Sequence, residues 1–132
     1  MKFAPATGNY NVHLNIPLLA SPEITAPVCC IWLRREGKIL ISETEFSKNK
    51  ADINGGAIIT WCEMRIEKSR LINNHASIYG GAINNQKKLL TLKNCELLEN
   101  NADTGGAIFD VEKDNLKTDS CKFRDNALDD IY

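Results

Sequence analysis

The chain has 132 residues, of which 43% are apolar and 25% are charged, and its formal net charge is −1. This composition is that of one folded domain and excludes a wholly disordered chain. Lys and Arg are interleaved with acidic residues, so the sequence offers no basic surface for nucleic acid or anionic lipid.

Residues 1–27 contain all four prolines of the chain and predict an irregular N-terminal lead, or a cap over the structure that follows. The apolar run "IPLLA" in this segment is too short for a secretion signal. The later run "APVCCIWL" contains Pro27 and is too short to cross a bilayer. The sequence therefore predicts neither a signal peptide nor a transmembrane segment in this chain.

From residue 28 onward the sequence repeats with a period of 25 or 26 residues. An apolar anchor begins each "FSKN"-like motif, an asparagine follows three positions later, and a glycine pair opens each "GGAI" motif. The anchors are Phe46, Leu71, Leu97 and Phe123, and the asparagines are Asn49, Asn74, Asn100 and Asn126. The glycine pairs are Gly55 and Gly56, Gly80 and Gly81, and Gly105 and Gly106.

Each repeat contains three short extended stretches, around "GGAI", around "ILIS" or "LTLK", and around "TEF" or "CEL". The second stretch alternates apolar and polar residues, which is the pattern of a half-buried strand. In-register strands repeated at this period predict an all-β fold, a single-stranded parallel β-helix, or solenoid, of about four coils over residues 28–132. Because the last repeat is incomplete, we expect the chain to be a fragment. A leucine-rich repeat is the alternative fold, but it does not account for the paired glycines.

The glycines and asparagines have physical roles in such a coil. At a sharp corner the backbone needs a positive φ, which glycine adopts at little cost, and a second glycine allows one coil to lie flat on the next. Stacked asparagine amides hydrogen-bond along the axis and satisfy one another inside a corner. Strict alternation allows either the Ala or the Ile of "GGAI" to point inward, unless a bend intervenes.

The stretches "FSKNKADINGGAI", "LINNHASIYGGAI" and "LLENNADTGGAI" resemble the repeats of the chlamydial polymorphic outer membrane proteins. The resemblance covers roughly residues 39–132. It implies a right-handed β-helix on a cell surface, often the passenger of an autotransporter, with adhesion as its role. The chain departs from that family in lacking a signal peptide and a membrane β-barrel segment, and two of the four anchors are Leu in place of Phe.

The sequence thus favours a non-catalytic, adhesin-like module at the cell surface or outside the cell. Its partner would be an unknown protein or glycan on another surface, bound through stacked turns. We expect no cofactor and no resident metal.

A carbohydrate-active enzyme, a lyase or an inverting glycoside hydrolase, is the alternative function. Asp52 and Asp103 would lie two coils apart, about 10 Å, with His75 on the coil between them. That separation is close to the roughly 6.5–9.5 Å between the carboxylates of inverting glycosidases. An aspartate shortly before a glycine is also ordinary turn chemistry, which we favour for both residues.

The cysteines and the C-terminal aspartates are weaker candidates. Cys95 and Cys121 share a column with Thr44 and Ser69, so they either pack as small buried thiols or form a disulfide. Cys29, Cys30 and Cys62 have no metal-binding spacing with His13 or His75. The aspartates of the last repeat, which could bind a cation, lack the calcium-binding nonapeptide; they are Asp119, Asp125, Asp129 and Asp130. Trp32 and Trp61 either cover a corner or form an exposed aromatic patch.

Overall fold

The computed structural model of the protein describes residues 13–14 and 38–132. Within them the chain forms short strands and no helix. In chain order the strands are β1 (His13–Leu14), β2 (Lys38–Ser42), β3 (Glu45–Ser47), β4 (Lys50–Ala51), β5 (Ile58–Thr60), β6 (Glu63–Glu67), β7 (Arg70–Ile72), β8 (His75–Ala76), β9 (Ile83–Asn85), β10 (Leu90–Lys93), β11 (Glu96–Leu98), β12 (Ile108–Asp110), β13 (Leu116–Asp119) and β14 (Lys122–Arg124).

The strands stack into parallel sheets that run along one axis. The first sheet has the order β1-β2-β6-β10-β13, the second β3-β7-β11-β14 and the third β5-β9-β12, and a short fourth sheet pairs β4 with β8. From β2 onward, each strand pairing joins residues one repeat apart, such as Phe46 with Leu71 and Leu97 with Phe123. The predicted all-β parallel solenoid is confirmed, and its right-handed sense stays a prediction.

The coil count differs slightly from the sequence prediction. The described residues make about three full turns, from β2 to residue 115, and a partial fourth turn begins at β13. The fourth turn reaches the third sheet through a shorter loop without glycine, and Ile131 bridges to Ile108 there. Four coils had been expected because the anchor motif occurs four times, but the fourth copy lacks the "GGAI" segment.

One continuous apolar core fills the coils. Its largest fully buried side chains come from aligned positions on successive turns, because alternating strand residues point inward. They are Ile41, Phe46, Ile58, Met64, Ile66, Leu71, Ile83, Leu90, Leu92, Leu97 and Ile108.

The "GGAI" motif buries both its Ala and its Ile. Ala57 and Ile58 each have no solvent exposure, although they are adjacent in the chain. The backbone N–H groups of both residues donate to the carbonyl of Ala82, each at 2.9 Å. Because both N–H groups are directed at one carbonyl, the chain bends between Ala57 and Ile58, and both side chains face the core.

Residues 1–27 are described only at β1, which pairs with β2 through His13 to Leu40 and Leu14 to Ile41. The rest of the expected lead or cap lies outside the described residues, as do Cys29, Cys30 and Trp32. In the described part of the chain, no helix is long and apolar enough to cross a lipid bilayer.

Candidate functional site

The asparagines of the repeat form a hydrogen-bonded column inside the corner between the second sheet and the short fourth sheet. We call this the asparagine corner. The backbone N–H and the Nδ2 of Asn49 both donate to Oδ1 of Asn74 at 3.0 Å. Asn74 donates in the same way to Asn100, and Asn100 to Asn126, at 2.9–3.0 Å. Asn49, Asn74 and Asn100 are buried.

Each amide in this column also ties its coil to the preceding one. The Nδ2 groups of Asn74, Asn100 and Asn126 donate to the carbonyls of the preceding anchors, Phe46, Leu71 and Leu97, at 2.9–3.0 Å. Burying a polar group without a hydrogen bond destabilises the fold. The column therefore provides hydrogen-bond partners for main-chain and side-chain groups that are buried at this corner.

The glycine pairs form a second kind of corner, before the third sheet, which we call the glycine corner. Gly55, Gly80 and Gly105 have φ of 60°, 66° and 62°. A Cβ on Gly55 would collide with the carbonyl of Ile58, and one on Gly56 would collide with the carbonyl of Gly81 in the next coil. The first glycine therefore allows the turn, and the second allows the close approach of neighbouring coils.

A charge ladder runs along the outer face of the second sheet. Arg70 contacts Glu45 at 3.2 Å and Glu96 at 3.1 Å, and Lys122 contacts Glu96 at 3.3 Å. The hydrogen bond from Lys122, followed by that from Arg70, lowers the pKa of Glu96. Charges of alternating sign on successive coils favour this register, because a slip would place other residues opposite each other.

In contrast to the charged outer face of the second sheet, the glycine corner and the outer face of the third sheet are apolar. Among the described residues, large apolar side chains that are exposed concentrate there and at the end of the fourth turn. We call this surface the apolar ridge, and it consists of the exposed residues Ile53, Ile78, Tyr79, Val111 and Tyr132 together with the half-buried Phe109. The exposed fractions are 57% for Ile53, 40% for Ile78 and 45% for Tyr132.

Three aromatic rings form the middle of the apolar ridge. The centroids of Tyr79 and Phe109 are 4.5 Å apart, and those of Phe109 and Tyr132 are 5.5 Å apart with nearly parallel planes. Lys113 places its Nζ 4.2 Å from the Tyr132 ring centroid. The rings thus form a row in which Phe109 is stacked on Tyr132 and tilted by 37° against Tyr79, and the Tyr132 ring interacts with an ammonium group.

A buried polar side chain lies next to Phe109 in the third sheet. Asn84 occupies the outward position between Ile59 and Phe109 in the third sheet and has no solvent exposure. Its Oδ1 accepts a hydrogen bond from Gln86, and its Nδ2 is buried without a partner. An unpaired buried donor is destabilising, and the asparagine corner also contains an unpaired buried atom, Oδ1 of Asn49.

The residues of the alternative catalytic site share one edge of the solenoid. Ala51 pairs with Ala76, so Asp52 and Ser77 are neighbours, and Asp103 follows on the next coil. His75 belongs to a different column, which pairs it with Lys50 and Asn101. Asp52 and Asp103 are exposed and His75 is half-buried. The structure therefore separates the histidine from the aspartate column by two residues.

Of the remaining sequence candidates, Cys95 and Cys121 lie in one column on adjacent coils. Cys95 and Cys121 are free thiols, and burial raises the pKa of both Cys62 and Cys95 to about 11. Within the part of the chain that the structure describes, no group of three His, Cys, Asp or Glu side chains is placed to hold a metal ion. Trp61 is half-buried at the end of the third sheet.

The sequence interpretation missed both the charge ladder and the apolar ridge. The ladder was visible in the column just before the anchor, which contains Glu45, Arg70, Glu96 and Lys122. Part of the ridge was visible too, since Ile53 and Ile78 directly precede the residues that bridge at the glycine corner. The aromatic row was not visible, because Tyr79 lies in a loop and Tyr132 reaches the third sheet through a shortened turn.

Comparison with known proteins agrees with this geometry. Searches of curated proteins and of solved structures found no significant match. Residues 43–60, which include Phe46, Asn49 and the first glycine pair, match the sequence model of the Chlamydia polymorphic membrane protein (Chlamydia_PMP) repeat. Residues 43–60 are therefore similar to the chlamydial polymorphic membrane protein repeat, and they lie in a parallel β-solenoid.

Proposed function

We propose that the chain is a non-catalytic, adhesin-like module, displayed on a cell surface or secreted, that binds a protein partner along the apolar ridge. The observation that carries this proposal is the concentration of exposed Ile and Tyr side chains on one side of the solenoid. Contiguous exposed apolar surface on a folded domain marks an interaction site more often than not.

The contrast between the two outer faces supports the proposal. The second sheet presents the alternating charges of Glu45, Arg70, Glu96 and Lys122 to solvent. The third sheet and the glycine corner present aliphatic and aromatic side chains instead. Interface cores are depleted in charge and enriched in aromatic residues, which is the composition of the ridge.

The stacking of the rings favours a protein over a sugar. A sugar ring binds an aromatic side chain through its exposed flat face, whereas Phe109 stacks between Tyr79 and Tyr132. Lys113 lies over the Tyr132 ring. The exposed aliphatic side chains of Ile53 and Ile78 extend this surface, and such a surface suits an apolar protein patch.

The repeat supports the proposed location. The matched repeat is named for membrane proteins of Chlamydia, and a rigid solenoid suits display because each coil contacts only its neighbours. Stacked coils hold the ridge residues at fixed spacing, so a partner can contact several turns at once with little loss of loop entropy.

Binding of the fluorescently labelled chain to cultured epithelial cells tests the proposal. The variants use the residues that the repeat itself has at equivalent positions, which protects the fold. Ile53→Asp follows Asp103, and Tyr79→Thr follows Thr104, its bridge partner on the next coil. We expect the double variant to bind at least about tenfold more weakly, because aromatic and apolar anchors dominate interface energies.

Lys117→Thr is the matched control, since Thr91 is its neighbour in the first sheet. Lys117 lies on the outer face of that sheet, and this variant should bind as the parent chain does. Equal binding by the ridge variant and the parent, with both folded by circular dichroism, would show that the ridge is not the binding surface. Cell binding that a panel of soluble glycans competes away would instead assign a sugar ligand.

The non-catalytic part of the proposal has its own test. The parent chain and Asp103→Asn are incubated with a panel of polysaccharides, and new reducing ends and unsaturated products are measured. We expect no turnover from either chain. Turnover by the parent that Asp103→Asn removes, with the fold intact, would overturn the non-catalytic assignment and favour the carbohydrate-active alternative.

A further inference from the structure

Two cysteines lie side by side on the last two coils, in a column that otherwise contains hydroxyl residues. This column follows the corner between the first and second sheets, and its members are Thr44, Ser69, Cys95 and Cys121. The hydroxyls of Thr44 and Ser69 donate to the carbonyls two residues earlier at 2.8 and 2.7 Å. The thiols of Cys95 and Cys121 take the same place, each 3.3 Å from the equivalent carbonyl.

The register places the two cysteines directly opposite each other. The next residues, Glu96 and Lys122, are partners in the pairing of β11 with β14, and the Lys122 N–H donates to the Cys95 carbonyl at 2.9 Å. In-register neighbours on adjacent strands have Cα atoms about 4.8 Å apart. A disulfide requires a Cα separation of about 4.4–6.8 Å, so the backbone can hold the bond without a change of register.

The two thiols differ in access. Cys95 is 1% exposed and lies in the core cluster, whereas Cys121 is half-buried on the partial fourth turn. Desolvation by burial raises the pKa of the Cys95 thiol to about 11. An external oxidant therefore reaches Cys121 first, and Cys95 is placed to attack the product from the neighbouring coil.

We propose that Cys95 and Cys121 are a modification site at which a small-molecule disulfide forms a reversible bond between the third and fourth coils. The Cys121 thiolate attacks one sulfur of oxidised glutathione and releases one glutathione thiolate. The Cys95 thiolate then attacks the Cys121 sulfur and releases the second glutathione. Two protons and two electrons leave the protein, and two molecules of reduced glutathione result. This inference does not depend on the proposed binding function.

The bond would act on the least enclosed part of the described chain. The fourth turn contributes only half-buried residues to the core, such as Leu116 and Phe123, while their counterparts on earlier coils are fully buried. A turn of this kind opens locally more easily than the interior coils. A covalent link to Cys95 restricts that opening, so oxidation would make the fourth turn resistant to proteases.

The full chain, folded by circular dichroism, is incubated with oxidised glutathione at mildly alkaline pH, blocked with iodoacetamide and digested with trypsin. Cleavage at the flanking lysines yields peptides 94–113 and 118–122, which contain Cys95 and Cys121 respectively. We expect mass spectrometry to find these two peptides joined, and a reductant to separate them. Thermolysin should cleave within residues 116–132 about tenfold more slowly after oxidation, since the link restrains opening.

Cys95→Ser and Cys121→Ser are the matched controls, because Ser69 shows that the column accepts serine. Cys95→Ser should stop at the glutathione adduct on Cys121, and Cys121→Ser should remain unmodified at Cys95. In either variant, thermolysin should cleave at the unoxidised rate. A parent chain that retains only the glutathione adduct, or that links Cys121 to a second molecule in place of Cys95, would overturn the proposal.

Discussion

The asparagine corner and the glycine corner both turn the chain with a residue of positive φ, yet only the second requires glycine. At the asparagine corner the turning residues are Lys48, Asn73, Glu99 and Asp125, with φ of 54–57°. All four are exposed, so their side chains project into solvent. At the glycine corner a side chain would meet the carbonyl of the following isoleucine and the neighbouring coil.

A side chain at a turn of positive φ can destabilise the fold in two ways, through the left-handed backbone and through steric collision. Left-handed backbone costs an ordinary residue about 1–2 kcal/mol, which bonds made elsewhere can offset. At the asparagine corner the next residue makes those bonds through the amide column. Steric collision with a packed backbone has no such compensation, because the interior is already close-packed.

The largest expected effect comes from closing the space at the glycine corner. In Gly81→Ala the new Cβ would collide with the Gly106 carbonyl and the Asn101 backbone of the next coil. We expect a loss of about 4 kcal/mol or more in the free energy of unfolding, enough to unfold most of a marginally stable domain. Urea denaturation followed by far-ultraviolet circular dichroism measures it, and a loss below about 1 kcal/mol would contradict the steric explanation.

Breaking the asparagine column should have the next largest effect. Asn74→Ala removes the acceptor used by Asn49 and the donor used by the Phe46 carbonyl, and it leaves these groups buried. We expect a loss of about 3 kcal/mol, from two or three stranded groups. Asn126→Ala is the control at the half-buried end of the column, where water can replace the lost partners. Equal losses in the two variants would rule out burial as the cause.

A glycine substitution at the asparagine corner should stabilise the fold, which is the opposite of the effect of removing a glycine at the glycine corner. Glu99 adopts a φ of 55° with an exposed side chain. Glu99→Gly removes the left-handed strain but adds freedom to the unfolded chain, so we expect a net gain of about 0.5–1 kcal/mol. Asn73→Gly should gain less, because asparagine tolerates this conformation. Thermal unfolding of the two variants measures the difference, and a destabilised Glu99→Gly would contradict it.

The smallest effect concerns the charge ladder, which lies outside both corners. The pKa of Glu96 is lowered in the folded state, so the carboxylate contributes stability above its unfolded pKa, and this is lost as pH falls through the folded pKa. Glu96→Gln should cost only a few tenths of a kcal/mol at neutral pH, as exposed ion pairs do. Urea denaturation should show the stabilities of the two chains converging as pH falls below the lowered pKa of Glu96, where the carboxyl is protonated. A difference that persists there would indicate a packing effect.

The repeat spacing was sufficient to predict the solenoid and its register. Anchors such as Phe46 and Leu71 recur at the coil length, and parallel stacking is the arrangement that brings every such column into contact. The coil count was less predictable, since Phe123 and Asn126 continue the pattern while the glycine pair does not. A short turn without glycine, through Leu128 with φ of 58°, replaces it.

Two features could not be predicted from periodicity. Ala57 and Ile58 both face the core because the chain bends where their two N–H groups share one carbonyl, and the alternation of a strand does not predict such a bend. Ordinary residues such as Glu43 and Lys68 adopt positive φ at the corner between the first and second sheets. Their left-handed backbone depends on the hydroxyl and cross-coil bonds of the residues that follow, such as Ser69.

The amino-acid sequence alone determined the repeating coil. Glycines allow the turns, asparagines satisfy buried polar groups, and apolar anchors fill the core. All three recur at one period, and they can act together only when equivalent residues stack. The tertiary structure decided which surface is exposed and apolar. Tyr79 from a loop, Phe109 from a strand and Tyr132 from a shortened turn form one aromatic row. Their contact depends on how far each loop carries the backbone around the coil, which residue spacing does not specify.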